Sequence, residues 1–375
     1  MENKLNITIV FGTRPEAIKL SPLILGFERE EEVNIKVILT GQHKEMVYQV
    51  LKLFEIVADK NLSLMSKCQT LTHITCSTLE GLQKEFSEDQ PDLVIVQGDT
   101  TTSLAGALAA FYNRIPIAHV EAGLRTDDIY DPFPEEANRR LISQIASINL
   151  APTQKSFETL KVSKIPGDVY LTGNTVIDAL LIMSKRQKKI QIKGLNLANE
   201  EIILVTVHRR ENWGKNIENI CNGILKILEV HKDIVFVLPL HLNPIVKEPL
   251  KNILGEHPRI VLIEPLDYED LVAVMKESKI ILTDSGGLQE EAPSLGKPVL
   301  VLRKTTERPE AVEAGTAKLI GTSSEKIYKE VDILLRDHDA YLKMSQAINP
   351  FGDGHASDRI IKICKDWLRD KTVNK

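Results

Sequence analysis

Three carboxylates in the first half of the chain stand where proton-transfer groups are expected, two of them at the ends of apolar runs and one at a predicted helix start. Asp99 follows one such run, Glu121 ends the next, and Glu135 follows Pro134 at a predicted helix start. A carboxylate against apolar neighbours can have a raised pKa and can act as an acid or a base near neutrality. Asp99 could instead cap a helix, because threonines follow it, whereas the Ala-Gly after Glu121 argues against a cap there.

Arg139 lies four residues after Glu135 in this predicted helix, so the two side chains share one face. An ion pair between them would orient the carboxylate of Glu135. The plain alternative is a surface pair worth roughly a few tenths of a kcal/mol.

Basic side chains follow the first apolar run, at 7–12. Gly12 and Thr13 end that run, Arg14 comes next, and Lys19 lies about one turn into the predicted helix. The positive end of a helix dipole and two cations together suit an anionic ligand. Neither a dinucleotide-binding G-x-G-x-x-G nor a P-loop occurs here. An ordinary strand-to-helix turn with solvated charges is the alternative.

Two histidines of the second half also end apolar runs. His208 and Arg209 end one run, and His241 ends the next. A histidine in this position can titrate near pH 7 or bind a phosphate, although a structural role is the commoner one.

The turn after the run ILTD is the clearest candidate for an anion site. Ser285, Gly286 and Gly287 open a predicted helix there. Consecutive backbone N–H groups at a helix start can cradle a diphosphate, and glycines let a ligand approach closely. We expect Glu291 to accept hydrogen bonds from ribose hydroxyls and Arg308 to supply a further cation.

Alternating strands and helices must position these side chains. Short runs that are apolar throughout predict parallel strands buried on both faces, and the helix-like stretches between them imply a doubly wound α/β sheet. The first series of predicted strands is 7–12, 37–40 with Ile35, 93–98, 115–122 and 148–153. A second Rossmann-like series is predicted at 202–208, 234–241, 260–266, 280–286, 298–303 and 317–322.

Residues 184–201 are charged and turn-rich, so they mark a weak point between the two series. The boundary could also fall earlier, near Gly173, with helix 175–183 in the second domain. Ligands of open α/β sheets bind beyond the carboxyl ends of the strands, so we expect a cleft between two domains.

Composition limits the class of protein. The 375 residues carry a net charge of −5, with 43% hydrophobic and 26% charged residues, as in a soluble globular protein. No basic stripe indicates nucleic-acid binding, and no run reaches the roughly 20 apolar residues of a membrane span. Four scattered cysteines and the lack of a signal-peptide pattern indicate a reducing cytoplasm. We interpret Asp337 and Asp339, the only D-x-D, as a solvated turn or helix face and not as a metal site.

A series of motifs resembles the non-hydrolysing UDP-N-acetylglucosamine 2-epimerase family and follows that family's order over nearly the whole chain. The resemblance implies the GT-B fold, with two Rossmann-like domains and the active site between them. We expect a domain with the catalytic carboxylates at 1–172, a UDP-binding domain at 173–355, and a helix at 356–375 that crosses back to the first domain. The motifs are FGTRPEAIK, TGQH, GDTTTS, HVEAGLRT, PFPEEANR, GNTVIDALL, HRREN, HLNP, TDSGGLQEEAPSLGKPVLV and TTERPEAV.

The resemblance also implies an activity and assigns roles. The activity would be reversible C2 epimerisation of UDP-N-acetylglucosamine to UDP-N-acetylmannosamine, through elimination of UDP to a 2-acetamidoglucal and re-addition, without a cofactor or metal. Proton transfer or transition-state support would fall to Asp99, Glu121, Glu135 and His208, with Arg139 supporting Glu135. UDP and phosphate binding would fall to Arg14, Lys19, His208, Ser285, Gly286, Gly287, Glu291 and Arg308.

Many bacterial members of the family are activated by their own substrate at a second site. Gln42, His43, Arg209 and His241 match positions of that allosteric site, whereas Cys68 stands where those members carry an arginine. The family further implies a cytoplasmic homodimer that serves cell-surface polysaccharide synthesis. Its partner would be a small UDP-sugar, with neither nucleic acid nor membrane involved.

Three alternatives stay open at this point. A GT-B glycosyltransferase would share the fold and the nucleotide site but transfer the sugar to an acceptor. A hydrolysing epimerase would release free mannosamine, and an inactive relative would only sense the nucleotide sugar. The acidic residues of HVEAGLRT and PFPEEANR favour the epimerase over the glycosyltransferase and the inactive relative. The lack of an obvious kinase domain argues against the hydrolysing epimerase.

Overall fold

The structure is a computed structural model that describes residues 4–42, 44–64, 70–186 and 201–373. The chain divides into two compact units, of which the first comprises residues 1–179 and 351–375 and the second residues 180–350. The weak point predicted at 184–201 lies largely outside the described residues, as do His43 and Cys68.

The first unit contains a seven-stranded sheet in which the strand pairs are all parallel. Its strands are β1 (Leu5–Phe11), β2 (Val33–Leu39), β3 (Lys60–Asn61), β4 (Leu93–Gln97), β5 (Ile117–Val120), β6 (Ile148–Ala151) and β7 (Asp168–Leu171). Their order in the sheet is β3-β2-β1-β4-β5-β6-β7. The helices are α1 (Arg14–Phe27), α2 (Lys44–Phe54), α3 (Leu71–Glu88), α4 (Thr101–Tyr112), α5 (Glu135–Ile145), α6 (Gln154–Val162) and α7 (Thr175–Ser184), whose last residues enter the second unit.

The second unit repeats this plan with a six-stranded parallel sheet. The strands are β8 (Glu201–Thr206), β9 (Ile234–Pro239), β10 (Ile260–Ile263), β11 (Ser278–Thr283), β12 (Val299–Val301) and β13 (Ala317–Leu319), in the order β10-β9-β8-β11-β12-β13. The α-helices are α8 (Lys215–Val230), α9 (Pro244–Leu254), α10 (Tyr268–Glu277), α11 (Gly286–Glu291), α12 (Pro309–Glu313), α13 (Ser324–Arg336) and α14 (His338–Ser345). In the described part of the chain, every helix is too short or too polar to be a bilayer-spanning segment.

The predicted strands are confirmed, and their burial explains why their sequences do not alternate. All of β4 and five consecutive residues of β1 are buried, because helices cover both faces of the sheet. Two strands, β3 and β7, were not predicted from the sequence. The strand β3 has only two residues, and β7 is an edge strand whose end residues are exposed, so neither leaves an apolar run in the sequence.

Both sheets change winding direction at one point, between β1 and β4 in the first unit and between β8 and β11 in the second. Connections diverge there, and ligands of doubly wound sheets bind outside the strand ends at this switch point. Gly12 and Asp99 follow the two strands that flank the first switch point. His208 and Ser285 follow the two strands that flank the second.

The last helix, α15 (Ala356–Val373), belongs to the first unit and packs against α1. A Cβ atom at Gly26 would lie 2.3 Å from Ile361 Cδ1, so glycine permits this close approach of the two helices. Residues 173–179 and 351–355, which the sequence placed in a second domain, group with the first unit as well.

Candidate active site

Glu121 directly follows β5 and adopts a left-handed backbone conformation, with φ of 63°. This conformation costs a residue other than glycine roughly 1–2 kcal/mol, so the surrounding structure must hold it. The N–H of the next residue, Ala122, donates to the Leu150 carbonyl of β6 at 3.0 Å, which continues the sheet past the bend. The backbone therefore accounts for the Ala-Gly that follows Glu121.

Side chains from three other segments hold the buried Glu121 carboxylate. Lys19 Nζ of α1 lies 2.5 Å from Oε1 and 2.6 Å from Oε2. The amide of Gln97, the last residue of β4, donates to Oε2. The amide Nδ2 of Asn174, just before α7, donates to Oε1 at 3.0 Å. One cation and two neutral donors around a carboxylate are the contacts of an ionised group.

Lys19 thus has a role that the sequence did not indicate. The sequence predicted a phosphate ligand, but the ammonium contacts both oxygens of Glu121 and compensates the charge of that buried carboxylate. The phosphate role of Lys19 stays a prediction.

Asp99 lies beside this group, and its carboxylate forms an ion pair with Arg139 of α5 at 2.6 Å. Burial is the main influence and raises the pKa of Asp99, while the charge of Arg139 lowers it and the charge of Glu121 raises it again. The net shift is upward. The side chain of Asn138 donates to the Asp99 carbonyl at 2.8 Å and holds the turn. Asp99 is therefore suited to carry a proton closer to neutrality than an ordinary aspartate.

The predicted ion pair between Glu135 and Arg139 is wrong. Arg139 contacts Asp99 and also Glu136, at 3.2 Å, and Glu136 pairs in turn with Arg140 at 2.6 Å. Glu136 is fully buried, so its charge requires these partners. Glu135 begins α5 as predicted and is half-buried, and within the described residues its carboxylate has no ion pair.

The amino end of α1 is capped by a carboxylate of the protein itself. Glu16 Oε2 accepts the N–H groups of Gly12 at 3.0 Å and of Thr13 at 2.7 Å. Its other oxygen accepts the hydroxyls of Thr100 and Ser103. An internal anion therefore already occupies these two N–H groups, and the anionic ligand expected at this helix start stays a prediction.

Two further predicted residues of the first unit lie near this helix end. Arg14 is the first residue of α1 and is half-buried. Gln42 accepts a hydrogen bond from the hydroxyl of Thr102, in the first turn of α4, at 2.8 Å. The allosteric role of Gln42 stays a prediction, and His43 lies outside the described residues.

His119 belongs to this cluster, although the sequence analysis did not select it. It lies fully buried in β5, and its Nε2 is 2.7 Å from the Gly98 carbonyl. Burial lowers the pKa of His119 to about 4, so the ring is neutral at pH 7 and Nε2 must carry the proton to donate to a carbonyl. The ring thereby fixes the turn that carries Asp99. The sequence signal for this role was His119 itself, a single polar residue within the apolar run IPIAHV.

In the second unit, the buried Asp284 organises the segment that follows β8. Its carboxylate accepts the N–H of Arg209 and the amide of Asn212, both at 2.9 Å, and lies 2.9 Å from Nδ1 of His208. Burial raises the pKa of Asp284, but the contacts with His208 and the backbone outweigh it and the net pKa is lowered. The sequence had marked Asp284 only as a strand end and missed this orienting role.

Two guanidinium groups converge at the start of α11. A Cβ atom at Gly286 would lie 3.7 Å from Nη2 of Arg209 and 4.0 Å from Cζ of Arg308. Arg209 lies 3.5 Å from a carboxylate oxygen of Glu307, and Arg308 pairs with Glu290. Glycine leaves room for a ligand beside both cations. Arg209, predicted as allosteric, therefore lies with the predicted diphosphate residues.

One of the three backbone N–H groups predicted to bind an anion at this turn already has a partner in the protein. The Ser285 N–H donates to the hydroxyl of Thr283 at 2.9 Å, so the expectation of an open amide at Ser285 is wrong. Gly286 and Gly287 are the first two residues of α11, where backbone N–H groups have no acceptor within the helix.

Glu291 ends α11 and is held by an aromatic hydroxyl. Tyr268, the first residue of α10, donates to Glu291 Oε2 at 2.9 Å, and both residues are buried. The other oxygen lies 3.4 Å from the position of a Cβ at Gly287. The predicted ribose ligand and the glycine turn are thus adjacent, and Tyr268 is a supporting residue that the sequence did not reveal.

His241 follows β9 and lies beside His208, with ring centroids 6.2 Å apart. Its Nδ1 accepts the N–H of Asn243 at 3.1 Å. The structure therefore groups His241 and Arg209 with His208, and their allosteric role stays a prediction.

The described residues contain no group of three or more His, Cys, Asp or Glu side chains placed to hold a metal ion. In the D-x-D sequence, Asp337 accepts the N–H of Ala340 at 3.0 Å and caps α14.

Known proteins match this chain over almost its full length. A model of the UDP-N-acetylglucosamine 2-epimerase family matches residues 26–365. The UDP-N-acetylglucosamine 2-epimerase of Salmonella typhimurium is 50% identical over 373 residues, which is 97% of this chain and 99% of the relative.

Solved structures also match this chain over almost its full length. A putative UDP-N-acetylglucosamine 2-epimerase from Listeria monocytogenes has a TM-score of 0.92 at 45% identity, over 98% of this chain and 97% of its own. The Neisseria meningitidis UDP-GlcNAc 2-epimerase, solved with UDP-GlcNAc, has a TM-score of 0.85 at 46% identity, over 96% of this chain and all of its own.

The predicted α/β class and GT-B fold are confirmed by these structures and by the two doubly wound parallel sheets. Identity near one half over almost all of both chains also confirms the resemblance noted from the motifs. The chain belongs to the UDP-N-acetylglucosamine 2-epimerase family and is an isomerase.

Proposed function

We propose that this protein interconverts UDP-N-acetylglucosamine and UDP-N-acetylmannosamine by eliminating UDP and adding it back. One observation carries the proposal: carboxylates at the ends of two neighbouring strands lie in contrasting environments. Burial raises the pKa of Asp99, whereas Glu121 accepts hydrogen bonds from Lys19 and two amides. Two carboxyl groups whose environments differ in this way can serve as the acid and the base of one reaction.

The chemistry requires such a pair because C2 of the sugar is not next to a carbonyl, so its proton is too weakly acidic for direct removal. When the C1–O bond breaks, its electron pair leaves with UDP and C1 becomes oxocarbenium-like. A base then takes the C2 proton, and the C2–H electrons form the C1=C2 bond of a 2-acetamidoglucal. Re-addition of UDP to C1, with protonation of C2 on the opposite face, gives the other epimer.

We assign most contacts with the UDP moiety to the second unit. Arg209 and Arg308 both lie near Gly286 and suit a diphosphate, and Glu291 suits the ribose hydroxyls. A leaving group that stays bound remains close to the glycal, so its return to C1 is effectively intramolecular. The proposal requires one substrate molecule to meet residues of both units, and the cleft expected from the sequence stays a prediction.

His208 suits the oxygen that leaves C1. Its Nδ1 lies 2.9 Å from Asp284, which fixes the ring and leaves Nε2 for another partner. A donor at that position would stabilise the charge that develops on the departing phosphate.

We divide the remaining predicted residues between the two tasks. Arg14 and Ser285 keep their predicted roles in binding UDP, and Lys19 holds Glu121. Glu135 has no ion pair within the described residues and is the third carboxylate for the acid–base set. Arg139 supports Asp99.

Proton NMR in deuterium oxide tests the proposal. The purified protein, given only UDP-N-acetylglucosamine, should form the N-acetylmannosamine epimer and introduce deuterium at C2 of both epimers. UDP should remain attached at equilibrium, and an oxygen label in the anomeric C–O bond should scramble. Sugar transfer to an added acceptor without C2 exchange would instead show a glycosyltransferase, and release of free mannosamine a hydrolysing epimerase.

The resemblance also supports proposals on the setting of the enzyme. We infer a cytoplasmic homodimer whose product feeds cell-surface polysaccharide synthesis, and activation by UDP-N-acetylglucosamine through Gln42, His43, Arg209 and His241. Light scattering measures the oligomer. A velocity that rises linearly with UDP-N-acetylmannosamine, without added UDP-N-acetylglucosamine, would contradict the activation.

A further inference from the structure

Asn174 lies between β7 and α7, and hydrogen bonds of its backbone and side chain fix it. It is 3% exposed, and its backbone N–H donates to the Phe351 carbonyl at 2.7 Å. Its side-chain Oδ1 accepts the N–H of Val176 at 3.1 Å, which caps the start of α7. Its Nδ2 donates to Glu121 Oε1 at 3.0 Å.

The helix cap determines which atom of the amide faces Glu121. A backbone N–H can only donate, so the atom that faces Val176 must be the oxygen of the Asn174 side chain. The nitrogen then points to Glu121, and rotating the amide would break both hydrogen bonds. Glu121 Oε1 is therefore always offered a donor from this side.

We propose that Asn174 is a positioning residue for Glu121, which it orients for proton exchange and keeps in its ionised form between turnovers. The inference rests on the proposed function, because it assumes that Glu121 exchanges a proton with the substrate. The burial of both partners makes the contact strong, since a buried donor and acceptor have no water to replace it.

Other charged groups act on Glu121 from the neighbouring elements. Lys19 of α1 contacts Glu121, and the charge of Glu121 interacts with that of Asp99 after β4. His119 of β5 also lies within electrostatic reach of Glu121, but its ring is neutral at pH 7. The substitution leaves all of these residues in the chain, so we assign a shift in pH dependence to the lost donor.

The decisive variant is Asn174→Asp. The shape and the cap on Val176 are kept, but an acceptor replaces the donor and two carboxyl groups then face each other. We expect the pH profile of kcat/KM to move to higher pH by about one unit or more, with little change in KM. Asn113→Asp, at the end of α4 in the same unit, adds the same charge and should leave the profile in place.

Asn174→Ser provides a second measurement that does not add charge. The serine hydroxyl can still cap α7, but it is too short to reach Glu121. We expect kcat to fall about 10–100-fold, as for a misplaced catalytic group, while the Kd of UDP stays within a factor of about two.

The outcomes separate this inference from the proposed function. If Glu121→Gln exchanges the C2 proton as fast as the parent protein, the proposed function fails. If Glu121→Gln is inactive but both Asn174 variants keep the parent kcat and pH profile, only the role of Asn174 fails. A loss of kcat that is equal at all pH values in Asn174→Asp would show a structural role and would also overturn the inference.

Discussion

The two units share a sheet topology but use the ends of their strands differently. In the first unit, carboxylates occupy the strand ends, and cations of the same unit hold them: Lys19 holds Glu121 and Arg139 holds Asp99. In the second unit, guanidinium groups surround a glycine turn, and a buried aspartate orients a histidine.

This difference shows how one topology serves two chemical tasks. The first unit surrounds side chains whose protonation state matters with fixed donors and with apolar strands. The second unit places two guanidinium groups beside a residue without a side chain, an arrangement that suits an anionic ligand. The comparison predicts that substitutions of the first unit's carboxylates alter turnover, and that substitutions of the second unit's arginines alter nucleotide affinity.

The largest effect is expected from Glu121→Gln. The amide has the same shape but cannot exchange the proton, so kcat should fall roughly 10²–10⁴-fold while the Kd of UDP is nearly unchanged. Glu135→Gln should behave in the same way if Glu135 completes the acid–base set. NMR rates and calorimetric titration with UDP measure the two quantities. Loss of UDP affinity in both variants would make these residues structural and remove the contrast between the units.

His119 provides a stability test of the first unit. Burial lowers the pKa of His119 to about 4 in the folded protein. When the pH falls below about 6.5, this histidine therefore binds a proton in the unfolded chain but not in the folded one. This group should lower the free energy of unfolding by about 3 kcal/mol between pH 6.5 and pH 4. Denaturant unfolding of His119→Gln, which retains a donor for Gly98, should show a weaker loss over this range. An unchanged pH dependence would contradict the assignment.

The second unit is tested by Arg308→Ala. Removing a charged donor from the predicted diphosphate site should weaken UDP binding about 10–100-fold. Arg336→Ala removes an exposed arginine of the same unit, paired only with Asp332 in the described ion pairs, and should leave affinity unchanged. Unaltered UDP affinity in Arg308→Ala would place the diphosphate elsewhere.

The smallest effect, on stability, is expected from Asp99→Asn. Because the pKa of Asp99 is raised in the folded protein, ionisation costs stability as the pH rises from the unfolded value, about 3.9, through the folded one. The ion pair with Arg139 offsets part of this cost in stability. We therefore expect Asp99→Asn to have an equal or slightly higher Tm at pH 7.5, although its kcat should fall strongly. A clear drop in Tm would show that the ion pair outweighs burial.

Much of this arrangement could be predicted from sequence because strand ends meet at one edge of a parallel sheet. The apolar runs placed Asp99 and Glu121 at such an edge of the first sheet and His208 at that of the second, without knowledge of any contact. Specific pairings could not be predicted in this way. Glu136 rather than Glu135 lies on the side of α5 that carries the arginines. Glu16 caps its own helix, and its second oxygen accepts a hydrogen bond from Ser103 of α4. Asn174 and Lys19 reach Glu121 from segments distant in sequence.

The grouping of residues 351–375 with the first unit has a consequence for synthesis on the ribosome. The second unit is one continuous stretch, so it can fold as soon as it has emerged. The first unit is interrupted by the second, and its helix α1 gains its partner α15 only after the second unit has been synthesised. Chains truncated before residue 351 should therefore retain a folded second unit beside a first unit that exposes an apolar helix face.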